Sequence, residues 1–316
     1  LRNAAIAKRM RNAIPVLDLA DPDIEKAFAK AFGEIGFAYL IGHGIDADLR
    51  NALFDASKQF HALPEATKRK IEVDHTHRGY IPMAASTDVN STLAKVTKPN
   101  QSSSFMMMRE DAVATPDVYL SGPNKWPDMD GFRPVLERYN SEMIQLGARM
   151  MRIALGAIGA KDSAMDMFAP PTTWLRLLHY PSVPAADPDD LFGSAPHTDF
   201  GALTFLATDD VGGLQVLSPK GDWIDVPPRE DAFVVNVGDM LHRMSGGTLR
   251  STPHRVINRT GRERYSCPFF YDPHVSAIVQ PLDVDTAKYA PLEFGAFLRS
   301  ELEASYDAHK TTDATP

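Results

Sequence analysis

The chain has 316 residues, 44% hydrophobic and 23% charged, with a formal net charge of −8. It is long enough to bury a full core, and it lacks the Lys/Arg runs that track a phosphate backbone or a membrane surface. A single cysteine, Cys267, excludes an intramolecular disulfide and fits a reducing cytoplasm. No apolar run reaches the roughly 18–20 residues of a membrane helix. The sequence opens on Leu1 rather than Met, which leaves the native N-terminus undefined, and no secretory signal is visible in it.

In chain order, Ile14–Leu19 reads as a short extended run ended by Asp21-Pro22. A helical pattern follows through Ile24, Ala27, Phe28, Ala31 and Ile35, and a second helix is expected over Ala47–Phe60. The clearest helix runs from Phe132 to Ile158, where Phe132, Leu136, Tyr139, Met143, Leu146, Met150, Ile153 and Ala157 form one apolar stripe. After about Thr173 the pattern turns to short β-rich runs at Trp174–Tyr180, Ala202–Ala207, Leu214–Leu217, Ala232–Val237 and Tyr265–Tyr271. Turn clusters such as Asp209-Asp210-Val211-Gly212-Gly213 and Ser245-Gly246-Gly247 separate them, and the spacing predicts a two-sheet or closed structure of jelly-roll type. A helix returns at Leu292–Tyr306, and Thr311–Pro316 reads as a frayed end. The expected organisation is mainly β with flanking helices: a helical part at 1–172, a β core at 173–280, and a C-terminal helix and tail at 281–316, forming one compact unit.

The chemistry concentrates in Pro196-His197-Thr198-Asp199-Phe200-Gly201 and Thr252-Pro253-His254-Arg255-Val256. In an extended segment, residues i and i+2 share a face, so His197 and Asp199 can grip one ion while His254 adds a third ligand from a neighbouring strand. Two imidazoles and a carboxylate on one face leave coordination positions open, as in non-haem iron(II) oxygenases. Ten residues on, Arg264-Tyr265-Ser266 enters a β-run. Arg264 and Ser266 share a face, and a guanidinium with a hydroxyl beside it can hold a carboxylate.

These segments resemble the isopenicillin N synthase-like family of Fe(II)/2-oxoglutarate dioxygenases. Further matching stretches run through Gly36-Phe37-Ala38-Tyr39, Arg78-Gly79-Tyr80, Gly122-Pro123-Asn124-Lys125-Trp126-Pro127, Gly212-Gly213-Leu214-Gln215-Val216 and Asn236-Val237-Gly238-Asp239. The resemblance implies a double-stranded β-helix core, with iron held by His197, Asp199 and His254. It also implies 2-oxoglutarate held by Arg264 and Ser266, Tyr180 as an additional donor, O2 as oxidant, and a small-molecule substrate that is hydroxylated with release of succinate and CO2. Many relatives carry Asn two residues before the Tyr of the Tyr-Pro pair; this chain has Leu178 there.

Other residues stay open on sequence grounds. Phe105-Met106-Met107-Met108 reads equally as a core strand or as a pocket wall that places Met106 and Met108 against a substrate. Phe270 is either a stacking surface for a substrate ring or ordinary packing. His75-Thr76-His77 reads as a solvated loop, His43 as a turn residue, His179 and Cys267 as structural, and His242 as structural with substrate contact as the alternative. Two rival functions remain: an iron-dependent oxidase that spends Arg264 on the substrate's own carboxylate, and a non-catalytic metal or ligand sensor. Neither nucleic acid nor membrane is expected as a partner, and no pattern selects an oligomeric state.

Overall fold

The computed structural model describes residues 14–87, 96, 98–115, 118–182, 191–282 and 288–306; the tail at 311–316 lies outside them. The chain begins with β1 (Val16–Asp18), α1 (Ile24–Glu34), β2 (Phe37–Ile41), α2 (Ala47–His61) and α3 (Glu65–Lys68). The Asp46 side chain starts α2 by accepting the Asp48 N–H at 2.9 Å, one of the donors a helix start leaves free. Then come β3 (Gly79–Ile81), β4 (Ser103–Met108) and the long α4 (Phe132–Ala157).

The strand-rich half holds β5 (Thr172–Tyr180), β6 (Ser194–His197), β7 (Leu203–Thr208), β8 (Leu214–Leu217), β9 (Trp223–Asp225) and β10 (Phe233–Val237). It continues through α5 (Asp239–Met244), β11 (His254–Val256) and β12 (Arg264–Asp272). The hairpin of β13 (Ile278–Val279) with β14 (Leu292–Glu293) leads into α6 (Phe294–Ser305).

Eight strands form the main sheet in the order β1-β2-β10-β7-β12-β5-β4-β3, and β6-β11-β8-β9 form a second sheet. The expected helical N-terminal part is therefore only partly helical: β1, β2, β3 and β4 extend both edges of the main sheet, and strand pairing crosses position 172. Short strands of this kind carry too little periodicity to stand out against the adjacent helices.

Alternation along the main-sheet strands sorts side chains into two cores. Leu175, Leu177, Phe205, Phe233, Val235, Cys267 and Phe269 join the helices α1, α2 and α4 in the larger core. Tyr39, Leu178, Tyr180 and Val234 meet Leu214, Val216 and Val256 of the second sheet in the smaller one. The α4 stripe is buried from Phe132 to Met150, each large apolar side chain contributing about 1.5–3 kcal/mol, while Ile153 and Ala157 are half-buried and Met151, Ala154 and Leu155 take over the buried face. Gly147 lets α4 lie against β12, because a Cβ there would run into the Tyr271 ring. Among the described residues no helix is long and apolar enough to cross a membrane.

Candidate active site

The site lies between the two sheets. His254 is the first residue of β11 and pairs in register with His197, the last residue of β6. Their rings are 4.3 Å apart between centroids. Asp199 lies two residues past the end of β6, so a loop rather than strand alternation delivers it. Its Oδ1 is 3.7 Å from His197 Nε2 and 3.6 Å from His254 Nε2. One ligand atom from each of the three residues falls within 4.8 Å of the others.

The donor set fits an iron(II) ion, because the outer atoms of each ligand are already engaged. His197 Nδ1 sits 2.7 Å from the Ala195 carbonyl and His254 Nδ1 3.3 Å from that of Thr252, which turns each Nε2 towards Asp199 Oδ1. Asp199 Oδ2 accepts from Thr204 Oγ1 at 2.5 Å and Asn236 Nδ2 at 2.7 Å, turning Oδ1 to the imidazoles. Burial alone would raise the Asp199 carboxyl. The imidazoles of His254 and His197, helped by Asn236 and Thr204, outweigh it and hold the group below its ordinary value. Asp239 ties the two ligand loops together, accepting from Ser251 Oγ at 2.6 Å and Thr198 Oγ1 at 3.2 Å.

Two lobes meet at His197 and Asp199, each about 660 Å³ when the open space at its mouth is counted, and the first also reaches His254. They share a wall made of Asn100, Arg176, Ser194, His197, Asp199 and Phe270. The first lobe holds Arg264, Ser266, Tyr180 and Leu178. Arg264 is 1% exposed, lies 4.7 Å over the Tyr180 ring, and donates to Ser266 Oγ at 3.3 Å. Its Nε has no hydrogen-bond partner, and no carboxylate pairs with it among the described residues; Asp209 acts on it only at longer range. A buried guanidinium without a counter-ion is costly, so this lobe is built for an anion. Tyr180 supports Arg264 through its ring face.

The second lobe is lined by Met106, Trp174, Phe200, Phe270, Asp272 and Tyr306, among others. Pro268 does not break β12, so Phe270 keeps the face of Arg264 and Ser266 and reaches both lobes. Met106 and Met108 part company. A step of two residues along β4 is roughly 6.6 Å, and it carries Met108 out of this lobe into a separate small cavity beside Arg78 and His274.

The expectation of a solvated His75-Thr76-His77 loop needs correction. His75 is exposed, but His77 is fully buried and stands edge-on to Trp174 at 5.3 Å and Tyr306 at 4.8 Å in the second lobe. The Asp74 turn, capped by Thr76 N–H and hydroxyl, separates the two rings; His77 takes a left-handed φ of 58°. His242 is held by the Leu249 carbonyl at 2.5 Å and the Tyr289 hydroxyl at 3.0 Å, and lines neither lobe. His43 closes a turn onto Ile45 N–H, His179 stacks on Tyr265, and Cys267 is fully buried. Arg176, Asp272, Thr204 and Tyr306 had no role in the sequence reading. The available signal was a charged residue, Arg176, inside the apolar run Trp174-Leu175-Arg176-Leu177-Leu178.

Comparison with known proteins agrees with this geometry. Residues 171–273 match the 2OG-Fe(II) oxygenase superfamily, and residues 14–129 match the N-terminal region described as non-haem dioxygenase in morphine synthesis. The 2-oxoglutarate-dependent dioxygenase citB of Monascus ruber is 36% identical over 262 residues, covering 78% of each chain. This chain is a 2-oxoglutarate- and iron(II)-dependent oxygenase. A second relative, the dioxygenase tropC of Talaromyces stipitatus, is 38% identical over 272 residues, 80% of this oxygenase and 81% of that chain. Among solved structures, a full-length Neurospora crassa protein in complex with alpha-KG and thymine superposes with a TM-score of 0.80 at 28% identity, covering 92% of this chain and 96% of the other. JOX2 in complex with 2OG, Fe and JA gives a TM-score of 0.78 at 29% identity, over 93% and 89% of the two chains. The oxygenase thus has the jelly-roll fold and uses iron(II) and 2-oxoglutarate, and the oxidase and sensor readings give way to it.

Proposed function

We propose that this oxygenase hydroxylates a small organic molecule in the lobe lined by Trp174 and Phe270, with iron held by His197, Asp199 and His254. In this reading 2-oxoglutarate is held by Arg264 and Ser266. The observation that carries it is the buried, anion-less Arg264 in a lobe that also reaches all three ligands. The Neurospora crassa protein with thymine and JOX2 with JA are relatives of the same fold with small molecules bound, which supports a small substrate here.

An iron(II) ion held by His197, Asp199 and His254 would, with 2-oxoglutarate, supply the oxidising power that puts one atom of O2 into a substrate C–H bond and the other into succinate as CO2 is lost. The chain's own residues set the stage. Arg264 donates its fork to the far carboxylate of 2-oxoglutarate and Ser266 adds a hydroxyl, so the co-substrate enters in one orientation. Leu178 occupies the position where many relatives carry Asn and contributes an apolar wall instead. Asn236 and Thr204 fix which Asp199 oxygen faces the metal, and Asp239 keeps the two ligand loops in register. Met106, Trp174 and Phe270 exclude water from the substrate and present a flat apolar surface.

We also read the chain as an isopenicillin N synthase-like member, on the matching stretches from Gly36 to Val256. A cytoplasmic location is inferred from its one cysteine, a buried thiol. The segments 1–172, 173–280 and 281–316 are read as one compact unit, a reading supported at the first boundary by main-sheet pairing across it.

The test is an anaerobic titration of 2-oxoglutarate into the iron(II)-loaded protein, followed by the weak visible charge-transfer band of the chelate. The band should require both additions, vanish in His197→Ala, and demand far more 2-oxoglutarate in Arg264→Leu. A band unaffected by Arg264→Leu would remove that residue's role. Succinate released in step with substrate consumption would confirm the reaction.

A further inference from the structure

One cation of the site has no task in that reading. Arg176 lies in the middle of β5, between Leu175 and Leu177, and lines both lobes. It is held from two distant parts of the chain: Nε donates to Ser104 Oγ at 2.8 Å, and a terminal nitrogen donates to the Tyr306 hydroxyl at 3.1 Å. These contacts use two of the five N–H donors a guanidinium carries. Both partners are neutral hydroxyls, and no carboxylate pairs with Arg176 among the described residues. Among the described residues two arginines without a paired carboxylate therefore line the one metal site, and 2-oxoglutarate has a far carboxylate for only one of them.

The lobe beyond Arg176 describes what the second anion belongs to. Trp174 and Phe270 stand 6.0 Å apart between centroids and present flat apolar surface, and Met106 sits opposite Arg176 in strand register. No lysine or other arginine lines that lobe among the described residues. Two carboxyl groups, Asp199 and Asp272, also line it, and they disfavour a dianion such as a phosphate ester. A planar fork with free donors matches one carboxylate.

We propose that Arg176 is the anion-binding residue for the primary substrate, a small monocarboxylic acid with a flat or ring-shaped body that lies against Phe270 and Trp174. This rests on the proposed function, since the Trp174 lobe takes substrate only if the metal site and the Arg264 clamp operate as described.

The experiment loads the protein with iron(II) and 2-oxoglutarate without oxygen and follows tryptophan fluorescence during ligand addition. The probes are benzoate, phenylacetate, cinnamate and cyclohexanecarboxylate, each paired with its primary amide. At least one acid should bind roughly ten- to a hundredfold more tightly than its amide, as a charge-assisted hydrogen bond predicts. Arg176→Gln should erase that preference and Arg176→Lys should keep part of it, while both retain wild-type affinity for 2-oxoglutarate. The proposal is overturned if no acid outbinds its amide, or if Arg176→Gln binds acids as the wild type does. A loss of 2-oxoglutarate affinity in Arg176→Gln would assign the residue to the co-substrate and overturn it too. Failure of the wild type to form the iron and 2-oxoglutarate band would instead count against the proposed function.

Discussion

The two sheets contribute to the same site in different ways. The four-stranded sheet brings the three candidate ligands from its least regular parts: the end of β6, the loop after it, and the three-residue β11. The eight-stranded sheet brings long strands whose alternate residues, Arg176, Thr204, Asn236, Arg264, Ser266 and Phe270, face those ligands. Pairing of β11 with β6 sets His254 beside His197, but the placement of Asp199 does not come from strand regularity within their sheet. It comes from hydrogen bonds reaching across the sandwich, Thr204 and Asn236 to Asp199, and from Asp239 bracing the loops.

The largest expected effect breaks the ligand side of the comparison outright. Asp199→Ala should abolish iron binding and turnover, measured by metal content after desalting and by succinate release. On the main-sheet side, Arg264→Leu should leave iron binding intact and weaken 2-oxoglutarate about a hundredfold or more, the loss of two charge-assisted hydrogen bonds. Asn236→Ala tests the reach across the sandwich. Iron affinity should fall by about 10–100-fold in a competition titration, with 2-oxoglutarate affinity at saturating iron little changed. On the opposite face of the main sheet, Gly147→Ala should cost about 1–3 kcal/mol of stability in urea unfolding by forcing α4 off Tyr271, with ligand affinities unchanged.

A separate effect is a pH dependence at the end of β12. Burial, with the Asp199 charge adding to it, pushes the Asp272 carboxyl up to about 7, against an ordinary value of 3.8. Between those two values the unfolded chain gives up this proton while the folded chain keeps it, so rising pH favours unfolding across that window. Above about 7 the penalty is constant. In the apoprotein, Asp272→Asn should therefore gain in melting temperature over wild type as the pH rises from about 5 to about 8. A gap that stays constant across that range would show that the carboxyl ionises normally.

The same contrast explains what the sequence made legible. Strands β5, β7, β8, β10 and β12 were readable to within a residue or two, because they are apolar runs punctuated by turns. The α4 helix was readable from its stripe, and only its last residue differs. Strand β6 was not readable: Ser194-Ala195-Pro196-His197 has no alternation, and its pairing with β11 joins residues nearly sixty apart. The ligand residues stood out through their chemistry and their order along the chain, not through the elements that carry them. Arg176 is hidden by a run of apolar neighbours that reads as core, and His77 by a polar stretch that reads as solvent-facing; each pattern averages over a window from which one side chain departs.

The wall of the Trp174 lobe has a further consequence for how such an enzyme can change. His197, Asp199, His254, Arg264 and Ser266 all fall within one stretch of the chain bounded by β5 and β12. Much of the opposite wall comes from outside that stretch, with His77, Asn100 and Met106 before it and Leu302, Ser305 and Tyr306 after it. Substitutions in the flanking segments can reshape what the lobe admits while the oxidising centre is inherited intact. Trp174, Arg176 and Phe270 stay on the strands that frame the centre, so the share of selectivity carried by the flanking segments is the part free to diverge at its own speed.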